Sequence, residues 1–214
     1  MGLLCRKVQQ PFFFQGQRRF ASLRFLFRPT VIQMRRRELG ALALLPWAGA
    51  RAADDDVLAR ALRAGGCAVV FRHGQTVSGI GDPAGFRLDT CSTQRNLNEE
   101  GRVQARRIGE WFAARQLRPL AVRSSAWCRC SETARLAFGT VQPWPPLNST
   151  FDDAALSPAA TARLREALRA LPPNGFEVWV THQVNITALT GRYAASGEAF
   201  VLDAAGTVRA QARL

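Results

Sequence analysis

Both histidines of this 214-residue chain follow short apolar runs. His73 stands in "VVFRHGQT", directly after Arg72, and His182 ends the run "FEVWVTH". A further basic residue, Arg129, comes shortly after the run "LAVRSS". Charged and imidazole groups cost free energy to desolvate, so a buried strand has no structural need of them at its end. These residues are therefore candidates for chemistry.

Two imidazoles and two guanidinium groups are suited to holding a phosphoryl group. The planar donors of arginine match phosphate oxygens, a neutral imidazole can attack phosphorus, and nearby cations stabilise the charge that develops. The only closely spaced cysteine pair is a C-x-C at the start of a predicted helix, with no second pair. A zinc site is not expected. We expect neither a metal ion nor a cofactor.

The elements that must position these groups alternate between strands and helices. Apolar runs predict strands at "CAVVF", "LAVRSS", "FEVWVTH" and within "EAFVLDAAGTVRAQARL", and helical spacing predicts helices at "VLARALRAGG", "NEEGRVQARRIGEWFAARQ", "WCRCSETARLAFG", 158–171 and "QVNITALTG". This order predicts a three-layer α/β/α sandwich with a mainly parallel central sheet. Ligands of such sheets bind beyond the carboxyl ends of the strands, so the candidate residues should converge there. Residues 75–96, rich in Gly, Asp, Thr and Ser, are predicted to form a long functional loop, and the proline-rich stretch before residue 158 is predicted to form a surface loop.

The first 52 residues resemble a leader rather than part of the domain. From Met34, three arginines precede the apolar segment Leu39 to Ala50, and small residues spaced A-x-A follow, which is the layout of a secretory signal. We expect residues 34–52 to be a signal peptide and residues 1–33 to be an over-extended start. A transit peptide for 1–33, a twin-arginine signal, and a first core helix at 34–52 are the alternatives. An acidic linker (53–56) would then lead into one domain, residues 53–214.

The net charge of +13 does not indicate a nucleic-acid partner. Residues 1–52 contain ten of the 29 basic residues and a single acid, so the leader accounts for most of the excess charge. No nucleic-acid-binding motif accompanies it. The apolar segment of the leader is also too short for a stable membrane span.

Four cysteines follow the leader, an even number that permits disulfides in an exported protein. Cys91 is expected to pair with Cys128 or Cys130, and Cys67 is the fourth. The predicted location is the periplasm of a bacterium or its exterior.

Four blocks of the sequence resemble the histidine phosphatase superfamily, which includes the phosphoglycerate mutases. "FRHGQT" resembles its R-H-G signature, "NLNEEGRVQA" its Leu-Thr-x-x-Gly-x-x-Gln-Ala helix, "SSAWCRCSETA" its second arginine block, and "VTHQVNITALTG" its second histidine block. The blocks occur in family order. The resemblance implies a phosphoglycerate mutase-like fold.

The resemblance also implies roles for individual residues. His73 would be the nucleophile that forms a phosphohistidine, and Arg72, Arg129 and His182 would bind the phosphate. Gly74 would let the backbone approach closely, and Gln75 and Thr76 would line the pocket. Arg95 has two interpretations, a substrate contact or a surface salt bridge.

The chain departs from the family pattern where a proton donor is needed. Ala126 replaces the usual Pro and Gln183 the usual Gly, but neither change removes a reactive group. No Glu stands in a mutase-like context, and no Asp follows His182. The loop "NSTFDDAAL" offers Asp152 and Asp153, and Asp153 is the favoured donor because a carboxylate near the strand ends can have its pKa raised.

The expected function is an exported phosphomonoesterase acting through a phosphohistidine on a small phosphorylated substrate, such as an envelope sugar phosphate. A phosphoglycerate-type mutase is one alternative. A phosphate-binding or interaction protein with weak catalysis is the other.

Overall fold

The computed structural model describes the backbone from residue 46 onward and the side chains from residue 55 onward. Residues 1–45, which hold most of the predicted leader, lie outside the described residues. The signal peptide and the start site therefore remain predictions.

Five α-helices and three short 3-10 helices occur in the described part of the chain. The α-helices are α1 (Pro46–Ala64), α2 (Glu99–Ala114), α3 (Cys128–Phe138), α4 (Ser157–Arg169) and α5 (Gln183–Thr190). The 3-10 helices are Cys91–Thr93, Pro145–Leu147 and Ala154–Leu156. The side chain of Asn98 caps α2 by accepting from the backbone N–H of Gly101 at 2.8 Å, which satisfies one of the free donors of the first turn.

Six strands form one sheet. They are β1 (Cys67–Arg72), β2 (Ala121–Ser124), β3 (Gln142–Pro143), β4 (Phe176–Thr181), β5 (Glu198–Asp203) and β6 (Val208–Arg213), in the order β3-β2-β4-β1-β5-β6. The first four strands of that order run parallel, and β5 runs antiparallel to both of its neighbours, β1 and β6. The predicted mainly parallel sheet is confirmed, and β1 and β4 lie side by side at its centre.

Helices cover both faces of the sheet, which makes the predicted three-layer sandwich. Along β1, Val69 and Phe71 pack with α1, α2 and α3, whereas Val70 packs with α4 and α5. Successive side chains of a strand point to opposite faces, so a strand buried on both sides needs the continuous apolar run seen in the sequence.

Two expectations about local structure were wrong. Residues 53–56, predicted as a linker, belong to α1, which begins at Pro46 rather than at Val57. Proline is well tolerated in the first turn of a helix, and the alanines that follow favour helix. In the predicted proline-rich loop, Gln142–Pro143 pairs with β2 at the edge of the sheet, where proline costs no central hydrogen bond. No helix among the described residues has both the length and the apolar character to cross a membrane.

Candidate active site

The two histidines lie next to each other at the carboxyl ends of β1 and β4. In the parallel register Arg72 is opposite Thr181, and the backbone N–H of His73 donates to the carbonyl of Thr181 at 3.0 Å. The ring centroids of His73 and His182 are 5.5 Å apart, and both side chains are buried. Neighbouring parallel strands end at the same edge of a sheet, so the two apolar runs place both imidazoles in one site.

The protonation of His73 follows from its hydrogen bond. Nδ1 lies 2.8 Å from the carbonyl oxygen of Gly74, which can only accept, so Nδ1 carries the proton. This leaves the lone pair on Nε2. Burial has the largest effect on the pKa of His73; together with the positive charges of Arg129 and Arg72 it lowers this pKa to about 3, although the hydrogen bond with Gly74 acts to raise it. His73 is therefore a neutral imidazole at neutral pH.

His182 is held by its other neighbours. Its Nε2 is 2.8 Å from Oγ of Ser125, and the sulfur of Cys130 lies 3.4 Å from the same nitrogen. Trp127 stacks edge-on against the ring, with centroids 5.3 Å apart. Burial lowers the pKa of His182 well below its ordinary value, and the positive charges of the nearby arginines add to the effect. With Nε2 occupied by Ser125, Nδ1 is the nitrogen left for a ligand.

Three arginines line the same pocket, and each keeps a free donor. The Nε–H groups of Arg72, Arg95 and Arg129 are buried without a hydrogen-bond partner. The pocket has a volume of about 360 Å³ and contains both histidines and all three arginines. Unpaired buried donors are costly unless a ligand satisfies them, so this arrangement is suited to binding an anion.

Arg95 therefore belongs to the pocket and not to a surface salt bridge. Its Nη1 donates to Oγ1 of Thr76 at 2.6 Å and to the carbonyl of Gly79 at 3.1 Å. These bonds orient the side chain from the long loop (75–96) toward the other two arginines. Of the two interpretations of Arg95, the geometry favours the substrate contact.

Asp82, which lines the pocket, forms an ion pair with Arg129 that the sequence did not reveal. Nη1 of Arg129 donates to both carboxylate oxygens of Asp82, at 2.8 and 3.1 Å, and both side chains are buried. The backbone N–H of Arg95 and the indole N–H of Trp127 donate one further bond each. Burial acts to raise the pKa of Asp82, but the bonds from Arg129 and Arg95 hold it below its ordinary value. Asp82 is thus an ionised anchor and not an acid.

Of the residues after His73, Gly74 allows a close backbone approach, whereas Gln75 and Thr76 are not among the residues that line the pocket. A Cβ on Gly74 would come within 2.7 Å of the Gly101 carbonyl, so the missing side chain serves the close approach of α2. Gln75 is exposed, and its backbone N–H donates to Oε1 of Gln104. Thr76 is buried and acts through Arg95.

The two carboxylates proposed as proton donors have different surroundings. Asp152 lines the pocket, whereas Asp153 is not among the lining residues and its carboxylate accepts from the backbone N–H of Ala155 at 3.1 Å. The side chain of Asp153 thus begins the 3-10 helix that follows it. Although Asp152 and Asp153 are adjacent in an exposed loop, only the carboxylate of Asp152 reaches the pocket.

The disulfide joins Cys91 to Cys128, one of the two pairings expected, while Cys67 and Cys130 are free and buried. Cys91 lies in the long loop and Cys128 begins α3, one residue before Arg129. The bond therefore ties the loop that provides Arg95 to the helix that provides Arg129. Among the described residues, no group of three or more His, Cys, Asp or Glu side chains could hold a metal ion.

Part of the chain that contains this cluster of histidines and arginines is similar to a known family. Residues 68–152 match the model of the histidine phosphatase superfamily (branch 1). The match supports a relation of this chain to that superfamily. The matched segment includes His73 and Arg129 and ends before β4. His182 lies outside the match, and the pairing of β4 with β1 places it beside His73. The match supports a phosphatase or mutase-type activity. No curated protein sequence matches the chain.

Solved structures share the fold. A variant of the protein TTHB049 from Thermus thermophilus is 21% identical with a TM-score of 0.50, over 69% of this chain and 99% of its own. A phosphoglycerate mutase from the same organism is 21% identical with a TM-score of 0.49, over 69% and 99%. The protein histidine phosphatase SixA, complexed with tungstate, is 15% identical with a TM-score of 0.45, over 69% and 96%. At identities this low the likeness concerns the fold alone, which is phosphoglycerate mutase-like.

Proposed function

We propose that this protein is an exported, metal-independent phosphomonoesterase that works through a phosphohistidine on His73. The observation that carries the proposal is the pairing of a neutral, oriented imidazole with three arginines whose Nε–H donors are unsatisfied. Such a site offers a nucleophile together with the positive charge that a transferring phosphoryl group needs.

The first step would form a bond between Nε2 of His73 and phosphorus. Because Nδ1 donates to the Gly74 carbonyl, the Nε2 lone pair is available, and the hydrogen bond strengthens as the ring becomes positively charged. The ester P–O bond breaks, and the departing alcohol oxygen takes a proton. In the second step water attacks phosphorus, the N–P bond breaks, and His73 and inorganic phosphate are released.

The phosphate oxygens would be bound by Arg72, Arg129, Arg95 and His182. If the hydroxyl of Ser125 donates to Nε2 of His182, then Nδ1–H of that ring is a donor toward the phosphate. The tautomer of His182 is thereby set by Ser125. The positive charges of the arginines would stabilise the negative charge of the phosphoryl group, which metal ions do in other phosphatases.

For the proton donor we propose Asp152 in place of Asp153. Two carboxylates line the pocket, and Asp82 accepts four hydrogen bonds that occupy both of its oxygens. Asp152 has no hydrogen-bond partner among the described residues and is exposed at the opening. It can pass a proton to the alcohol in the first step and take one from water in the second.

Export is supported by the signal-like leader and is compatible with the disulfide. A bacterial periplasmic or secreted location would give access to phosphorylated envelope sugars, the substrate class expected from the sequence. A phosphoglycerate-type mutase is less consistent with export, because its substrate belongs to the cytosol.

The test is hydrolysis of p-nitrophenyl phosphate by the full-length protein. We expect turnover that persists in EDTA, falls with vanadate and disappears in His73→Asn, a variant of similar size that is checked for folding by circular dichroism. Acid quenching of substrate labelled with ³²P should leave an acid-labile, alkali-stable label on the peptide that contains His73.

Three results would contradict the proposal. Tight phosphate binding without turnover would indicate a binding protein, and exchange of phosphate between two positions of phosphoglycerate would indicate a mutase. Full activity in His73→Asn would exclude His73 as the nucleophile.

A further inference from the structure

Large apolar side chains stand exposed around the opening of the anion pocket. Ile80 is 91% exposed, Phe151 55% and Tyr193 72%, and all three line the pocket. We call these three residues the rim. They come from three separate loops, which the fold brings together at one opening. Exposed apolar groups that surround a binding pocket commonly mark the surface that a ligand covers.

The rim is in contact with the groups that would bind phosphate. The OH of Tyr193 accepts from Nη1 of Arg72 at 3.2 Å, and the guanidinium of Arg72 lies 5.8 Å from the centre of the Tyr193 ring. A Cβ placed on Gly81 would lie 3.6 Å from the ring of Phe151, and the next residue, Asp82, anchors Arg129. A phosphate bound by these arginines would therefore lie next to the rim.

Few polar side chains at the opening are free to bind hydroxyl groups. Gln183 lines the pocket, but its Nε2 donates to Thr187 and its Oε1 accepts from the backbone N–H of Ala194. Oγ of Ser149 already accepts from the backbone N–H of Phe151. Beyond Asp152 and the groups that would bind phosphate, the opening is poor in free donors and acceptors for the hydroxyl groups of a sugar.

We propose that the rim selects phosphate monoesters whose alcohol presents an apolar face, such as an alkyl or benzyl group. The inference rests on the proposed phosphatase activity. It makes phosphate esters of apolar alcohols the preferred substrates over simple sugar phosphates. Phe151 is the specificity-determining residue, because its whole ring is apolar and lies beside the loop that anchors Arg129. Covering the rim with the alcohol removes apolar surface of both partners from water.

Benzyl phosphate and glycerol 1-phosphate are the matched test substrates, since both lose a primary alkoxide and differ mainly in the apolarity of the alcohol. We expect kcat/KM to be about tenfold higher for benzyl phosphate, the scale of discrimination by an apolar contact. Phe151→Ala should reduce kcat/KM about tenfold for benzyl phosphate and change it less than about twofold for glycerol 1-phosphate. The control is Leu156→Ala, because Leu156 is 56% exposed but does not line the pocket, and it should change neither value.

A binding measurement separates this inference from the proposed activity. Benzylphosphonate, which has no ester bond to hydrolyse, should bind the wild-type protein about tenfold more tightly than methylphosphonate in calorimetry. If the protein hydrolyses p-nitrophenyl phosphate but prefers glucose 6-phosphate or glycerol 1-phosphate, the rim does not select apolar alcohols. An equal loss on both substrates in Phe151→Ala also overturns the inference. If turnover is absent but benzylphosphonate is preferred, the activity fails and the selectivity of the rim stands.

Discussion

Lowering the pH from 7 to 5 should destabilise the folded protein through its buried histidines. An unfolded chain protonates histidine at the ordinary pKa of 6.5, whereas burial holds the pKa of His73 at about 3 in the folded state. Between pH 6.5 and pH 3, His73 is protonated in the unfolded state but remains neutral in the folded state. The stability associated with the neutral ring is therefore complete above pH 6.5 and is lost progressively as the pH falls toward 3.

The size of the effect follows from the shift. Each pH unit inside that window costs about 1.4 kcal/mol for one group, so the fall from 6.5 to 5 costs about 2 kcal/mol through His73. His182 contributes in the same direction, because its pKa is also held well below the ordinary value. At pH 5 Asp82 and Asp203 remain ionised, because hydrogen bonds outweigh the effect of burial and keep the pKa of each low; the main donor is Arg129 for Asp82 and the backbone N–H of Thr207 for Asp203.

The assay is urea unfolding at pH 7 and pH 5 in a phosphate-free buffer, since bound phosphate would stabilise the folded state. Wild type is compared with His73→Asn, which has no group to titrate at that position. The variant should lose about 2 kcal/mol less than wild type over this range. If wild type and variant lose the same free energy of unfolding, His73 is not a buried neutral imidazole. The argument that its Nε2 is an unprotonated nucleophile at neutral pH would then fail as well.

Three further predictions concern the support of the site. Ser125→Ala should lower kcat/KM for p-nitrophenyl phosphate about tenfold or more, because His182 loses the partner that sets its tautomer; an unchanged value would show that Ser125 is only structural. Removing the disulfide in Cys91→Ser/Cys128→Ser frees a loop with a sequence separation of 37 and should reduce the free energy of unfolding by about 4 kcal/mol. Urea unfolding measures this loss, and wild type in reductant should show the same one. Gly101→Ala should cost about 2 kcal/mol or more, seen as a lower Tm, because the new methyl group would meet backbone of the loop after β1.

The strand ends of the candidate site were predictable because hydrophobic periodicity is local. Continuous apolar runs predicted β1 and β4, and parallel pairing then required His73 and His182 to lie at one edge. The order of helices and strands predicted the three layers in the same way. The boundaries that depend on weak local preference were less predictable, as the start of α1 and the edge strand β3 show.

The roles of several residues that reach the site from loops were not predictable. Asp82 is an ordinary loop aspartate in the sequence, and its role appears only when the loop folds back over α3 and meets Arg129. Tyr193 follows α5 in a segment without any motif, yet it contacts Arg72. No sequence signal distinguishes Asp152 from Asp153, since the turn of one exposed loop orients them.

The amino-acid sequence by itself determined the alternation of elements, the histidines and arginines at the strand ends, and the phosphoryl chemistry that those residue types permit. Each of these depends on interactions within a few residues of the chain or on the chemistry of a side chain. The tertiary structure decided which cysteine pairs with Cys91, which carboxylate anchors Arg129, and which apolar side chains surround the opening. Those features arise from contacts between distant loops, whose geometry is set by the packing of the whole domain.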